Sequence, residues 1–205
     1  MPIEQHADVK LQGVSVRSLP KVSLHDHLDG GVRPATIVEL ADELGLDVPE
    51  TDADDLADWF EEQSDSGSLV DYIKTFEVTL GVMQTGEGLR RIAREFVTDL
   101  AADGVVYGEV RWAPEQHLRG GLSLQEAVDA VQEGIEEGED AAEAKGHDIR
   151  VGQILSAMRQ ADRSLEIARL AVDNRGRGVV GFDIAGPEDG FLPAQHREAF
   201  DYLAS

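Results

Sequence analysis

From residue 104 onward the sequence repeats one plan: a short β-branched run, then a longer stretch with helical spacing. GVVYGEVRWAP (104–114) reads as a strand, and SLQEAVDAVQEGIEEGEDAAEA, starting at Ser123, as a long amphipathic helix. DIRVGQILSAM (148–158) and RSLEIARLAVDN repeat the pair, and GVVGFDIAG (178–186) followed by PAQHREAFDYLAS begins it again. Upstream, LPKVSLHDHL (19–28) alternates and stops at Asp29-Gly30-Gly31, a strand running into a turn. Pro34 then suits the first turn of a helix whose stripe is Ile37, Leu40, Ala41 and Leu44. Strands alternating with helices, and no hairpin signal between them, specify a parallel α/β sheet. A further helix is expected over roughly 87–102, and Ser68 is placed to cap one beginning at Leu69. Residues 1–18 read as a polar N-terminal extension, 19–205 as one domain, and 47–67 as an acidic, irregular insertion.

Neither a G-x-G-x-x-G after the first strand nor a P-loop lysine motif is present, which removes the main support for dinucleotide or triphosphate binding. A (β/α)8 barrel is the natural alternative. A complete one typically takes about 250 residues, so four strands in 205 residues amount to about the first four β/α units. With 18 Lys and Arg against 41 Asp and Glu the net charge is −23, unsuited to nucleic-acid phosphates or anionic membranes. No apolar run approaches the ~18 residues of a membrane span, and the start has no secretory h-region, so a cytoplasmic protein is expected. The acidity also suits a salt-loving source. There is no cysteine, which excludes thiolate nucleophiles and Cys-based zinc sites.

His25 and His27 flank Asp26 at the C-terminal end of the first strand, the active-site end of a parallel barrel. Residues two apart share a face, so both imidazoles project together while Asp26 turns away. They are either a partly preorganised pair of metal ligands or two ordinary strand-end histidines, and a catalytic zinc needs about three protein ligands. His6, His117, His147 and His196 read as solvated residues. Glu109 and Arg111 also share a face and read as a buried ion pair, and Asp183 as a structural hydrogen-bonding residue. Leu69, Tyr72, Ile73 and Phe76 form an apolar helical stripe, fit either for the core or for a lid.

The string LPKVSLHDHLDGGVRPATIVELADELG strongly resembles the first strand and helix of the adenosine deaminases, in the metal-dependent amidohydrolase superfamily. SLVDYIKTFEVTL resembles that family's pocket-closing helix, GVVYGEVRWAP its second strand and VVGFDIAGPE its fourth. The resemblance implies a (β/α)8 barrel and zinc-dependent deamination of adenosine, and of 2′-deoxyadenosine, to inosine and ammonia. It makes His25 and His27 zinc ligands, with His27 also beside the substrate, and gives Asp29 the ribose 5′-hydroxyl. Related adenine deaminases usually carry Glu at that place, so Asp29 favours a nucleoside over a free base. Gly186 would offer its backbone N–H to purine N3, and the Leu69–Phe76 stripe would cover sugar and base. Ala113 departs from the serine often found in the corresponding block.

In that family the catalytic glutamate, which protonates N1, and the third zinc histidine sit in a His-Ala-Gly-Glu block on the fifth strand. No such block occurs in these 205 residues. The expectation is therefore that the catalytic acid lies beyond Ser205, that the 205 residues alone are inactive, and that the open barrel edge invites self-association. The competing expectations are a deaminase of another aminopurine, such as adenine, and a non-catalytic half-barrel that binds a partner.

Overall fold

The computed structural model describes residues 9–65, 67 and 69–205, without the side chains of 69–74. Four parallel strands form its sheet: β3 (Lys21–His27), β4 (Val105–Trp112), β5 (Arg150–Met158) and β6 (Val179–Ala185), in the spatial order β3-β4-β5-β6. A doubly wound sheet would reverse its strand order part-way. Here every strand lies beside its successor, as in the wall of a barrel.

The helices follow from the same pattern. They are α1 (Pro34–Leu44), α2 (Ala53–Ser64), α3 (Leu69–Val82), α4 (Gly86–Ala102), α5 (Leu124–Glu143), α6 (Ser164–Asp173) and α7 (Arg197–Leu203). Pro34 starts α1, and Gly45, at φ 66°, closes it. Ser123 and Glu126 form a reciprocal capping box that starts α5. The expected cap of α3, Ser68, lies outside the described residues.

Two expectations are corrected. Most of the acidic stretch 47–67 is not irregular: Asp52 accepts from the backbone N–H groups of Asp54 and Asp55, and α2 follows with Leu56 fully buried. Trp59 and Phe60 pack against the same core, so three apolar residues at helical spacing outweigh the surrounding carboxylates. The extension also holds a small antiparallel pair, β1 (Lys10–Leu11) and β2 (Val14–Ser15), turned by Gln12 and Gly13 at φ 51° and 86°. Two successive positive φ values are the two-residue hairpin geometry.

The register separates the sheet's faces. Val110 lies beside Gln153, and Trp112 beside Leu155; all four are buried in the layer under the helices. Gln153 is the polar member there, accepting from Trp112 Nε1 at 3.1 Å and donating to Gln132 at 2.9 Å. The opposite face carries His27 beside Arg111, Arg111 beside Ile154, and Ser156 beside Asp183. Glycines at φ 86° and 96°, Gly104 and Gly178, lead the chain into β4 and β6. A Cβ at Gly104 would meet the Arg17 carbonyl oxygen at 2.3 Å, and one at Gly178 the Gln132 side chain at 1.7 Å. Both edge strands show apolar side chains to solvent, Val22 and Leu24 on β3 and Val180 on β6.

Because Leu56 anchors α2 with no solvent exposure, Leu56→Ala is expected to cost about 2–5 kcal/mol of unfolding free energy. Urea denaturation followed by circular dichroism measures it.

Candidate active site

Three of the candidate residues, His25, His27 and Asp29, stand where β3 ends. The rings of His25 and His27 lie 5.4 Å apart, tilted by 54°. The ladder carries one extra residue on β3 between Ser23, beside Gly108, and Asp26, beside Val110. This bulge puts Ser23 and Asp26 on one side, where Ser23 Oγ donates to Asp26 Oδ2 at 3.2 Å. Asp26 thus turns away from the imidazoles, as expected, and its other oxygen accepts from the His27 backbone N–H at 3.1 Å.

After His27 the chain turns tightly, with Gly30 N–H donating to the His27 carbonyl at 3.2 Å. The turn brings Asp29 Oδ1 to 3.7 Å from His27 Nδ1, and that oxygen is buried without a hydrogen-bond partner. A buried, bare carboxylate oxygen beside the His27 imidazole is suited to an incoming donor. Gly186, just past β6, stands at φ 101°, and a Cβ there would come 2.7 Å from Gln160 Oε1. Of the apolar stripe, Phe76 is half-buried, while the side chains of Leu69, Tyr72 and Ile73 lie outside the described residues.

Arg111 is the residue whose role the sequence reading misassigned. It does not pair with Glu109, which instead accepts from the Tyr107 hydroxyl at 3.0 Å. Arg111 Nη2 reaches Asp183 Oδ2 at 2.5 Å, across β5, and Nη1 lies 2.6 Å from His25 Nε2. Asp183 on β6 lies two strand spacings from β4, about 9.6 Å, within reach of the extended arginine side chain. Asp183 is accordingly an ion-pair partner as well as a structural residue.

Two further histidines correct the expectation of solvation. His117 is buried, its Nδ1–H donating to the Met83 carbonyl at 2.9 Å, and burial pushes its pKa down to about 4. His196 is also buried, 3.2 Å from the Arg159 carbonyl. Neither lies on a strand, so periodicity gave no signal for them. A cleft of about 770 Å³ opens elsewhere, between the starts of α5 and α6, and contains none of these candidates.

Residues 20–205 match the adenosine deaminase family. The chain belongs to that family. It is 62% identical over 189 residues to adenosine deaminase 1 of Streptomyces coelicolor, covering 92% of this chain and 48% of that protein. It is 55% identical over 192 residues to the adenosine deaminase of Mycolicibacterium vanbaalenii, covering 93% and 53%. The chain thus spans about half the length of these relatives. Among solved structures it resembles Arabidopsis ADAL complexed with GMP, with a TM-score of 0.77 at 29% identity, covering 92% of this chain and 56% of that one. It also resembles a Burkhoderia ambifaria amidohydrolase with bound Zn, with a TM-score of 0.75 at 27% identity, covering 91% and 49%. The four-stranded sheet is therefore the α/β architecture of the barrel deaminases and amidohydrolases.

For a metal, these residues offer two imidazole donors on one strand, His25 and His27. The donor set suits zinc. It does not complete a site: among the described residues no three His, Cys, Asp or Glu side chains form a metal-holding group. No helix among the described residues is long and apolar enough to cross a membrane.

His117 also sets a pH dependence. Its folded pKa lies below its ordinary value of 6.5, at about 4, so the unfolded chain binds the extra proton first. The stability it contributes is whole above pH 6.5 and is lost as pH falls toward 4, on the order of 3 kcal/mol in all. Urea unfolding at pH 7 and pH 4.5 is expected to show a steeper loss in the unsubstituted protein than in His117→Gln.

Proposed function

We propose that these residues supply the metal-binding and ribose-binding half of a zinc-dependent adenosine deaminase, which converts adenosine and 2′-deoxyadenosine to inosine and ammonia. The observation that carries the reading is the paired imidazoles of His25 and His27, set beside the bare Asp29 oxygen at the C-terminal end of the first barrel strand. The 62% identity to a named adenosine deaminase supports the substrate.

His25 and His27 would hold the zinc, and the chemistry zinc supplies when bound is activation of water at neutral pH. Asp29 accepts a hydrogen bond from the ribose 5′-hydroxyl and so orients the nucleoside over the strand end. Gly186 presents its backbone N–H to purine N3, since its lack of a Cβ lets the base approach. The apolar stripe Leu69, Tyr72, Ile73 and Phe76 excludes water over sugar and base. The proton for N1 comes from none of these groups, so the 205 residues by themselves have no deaminase turnover. The cytoplasmic setting belongs to the same reading. So does self-association of the 205 residues, which the exposed Val22, Leu24 and Val180 at the sheet edges support.

A chimera tests the proposal: residues 20–205 replace the matching segment of the Streptomyces coelicolor relative, and adenosine turnover is followed by absorbance. Turnover by the chimera and its loss in His25→Ala are expected; a folded chimera without activity overturns the reading. In the active chimera, Asp29→Ala is expected to lower kcat/KM for adenosine roughly 10- to 100-fold while leaving the slow reaction of free adenine unchanged. An equal fall for both substrates would instead favour a base deaminase.

A further inference from the structure

Gly186 carries the chain out of β6 with its backbone at φ 101°, a conformation that glycine adopts freely. A glycine there is a hinge, and a hinge by itself aims a hydrogen bond poorly. One residue fastens it from both sides. Arg159 is the first residue beyond β5, and its backbone N–H donates to the Ala185 carbonyl at 2.8 Å. That carbonyl belongs to the same peptide unit as the Gly186 N–H. A trans peptide is planar, with its C=O and N–H on opposite sides. Tying the carbonyl to β5 therefore turns the N–H away from β5. Among the described residues no group accepts from that N–H.

The guanidinium of Arg159 holds the chain on the far side of the hinge. Nη2 donates to Glu188 Oε1 at 3.0 Å and Nη1 to the Phe191 carbonyl at 3.4 Å, and the side chain is only 13% exposed. Phe191 N–H donates to the Glu188 carbonyl at 3.1 Å, so both acceptors belong to one turn. Past that turn, His196 Nε2 stands 3.2 Å from the Arg159 carbonyl. Ala185, Glu188, Phe191 and His196 are thus all tied to Arg159. An ion pair to a carboxylate as exposed as Glu188 contributes little stability. Its effect is on which conformations the turn visits.

We infer that Arg159 is a positioning residue for the purine: it fixes the direction of the Gly186 N–H by holding the turn that follows, and does not touch the nucleoside. The inference rests on the reading of Gly186 as the donor to purine N3. Freed from the guanidinium, residues 187–192 swing about Gly186, and the peptide is correctly aimed for only part of the time. A ligand that needs that aim then binds more weakly in proportion, and a ligand without N3 is indifferent to it.

The chimera carrying residues 20–205 tests this, with folding checked by circular dichroism and binding read as competitive inhibition of adenosine turnover. The probes are inosine, which keeps N3, and 3-deazainosine, in which a C–H replaces it. In the unsubstituted chimera inosine is expected to bind about tenfold tighter than 3-deazainosine. Arg159→Met keeps an apolar stem and removes both guanidinium contacts. It is expected to weaken inosine about fivefold and 3-deazainosine less than about twofold, so that the ratio between them collapses. A residue that merely braced the fold would weaken both probes alike. An unmoved ratio in a folded, active Arg159→Met chimera therefore overturns the inference and leaves the deaminase reading standing. A ratio near one already in the unsubstituted chimera, or a folded chimera without turnover, fails the underlying reading and the inference with it. Should Arg159→Met not fold, Arg159→Lys decides, because its single nitrogen cannot reach both acceptors. Its ratio is expected to fall about twofold or more, and an unmoved one overturns the proposal.

Discussion

Everything in this molecule depends on a parallel ladder that runs in sequence order. Parallel neighbours must be joined by crossovers, and the crossovers here are helices that cover one face of the sheet. That face becomes dry: Val110, Trp112, Leu155 and Ala157 are buried, and Gln153 among them is hydrogen-bonded on both sides. Asp26 stands on that side too, held by Ser23 and the His27 backbone N–H. His25, His27, Arg111 and Asp183 stand on the other face, where a charge does not lie beneath a helix. The same parallel ladder puts all four strand ends at one rim, where the turn after β3 and the glycine after β6 both stand although some 150 residues of sequence separate them.

How much of this the sequence disclosed depended on whether a residue's role was local. Strand and helix alternation, the capping Ser123, the turn at Asp29-Gly30 and the shared face of His25 and His27 are short-range properties, and each stands in the structure. The helix at 53–64 was hidden by its carboxylates: Leu56, Trp59 and Phe60 make a narrow stripe in a segment whose composition reads as solvent. The burial of His117 and His196 was invisible because both are held by carbonyls from distant segments, Met83 and Arg159. The partner of Arg111 was misread for a related reason. Residues two apart on one strand are the visible pair in a sequence, whereas Asp183 comes into reach only once β5 lies between them.

A net charge of −23 sets a second constraint. The few cations are spent between elements. Arg33 holds Asp99, Arg91 reaches both Glu39 and Glu95, and Arg90 and Arg94 both approach Glu137, tying α1 to α4 and α4 to α5. Each exposed pair contributes little alone, typically under about 1 kcal/mol. Together they place positive charge where two acidic helices would otherwise repel. Salt relieves the remaining repulsion on the outer helix faces by screening, with small effect on the buried Arg111–Asp183 pair.

Both rims of the sheet turn on glycines. Where the chain enters β4 and β6, Gly104 and Gly178 adopt backbone angles that other residues resist, and a methyl group at either would overlap an oxygen. Gly186 repeats the constraint where the chain leaves β6, at φ 101° and with Gln160 Oε1 2.7 Å from where a Cβ would stand. A side chain at any of the three would strain the backbone before it met its neighbour, so the chain's entry to and departure from the sheet are written into its backbone and not into its side chains.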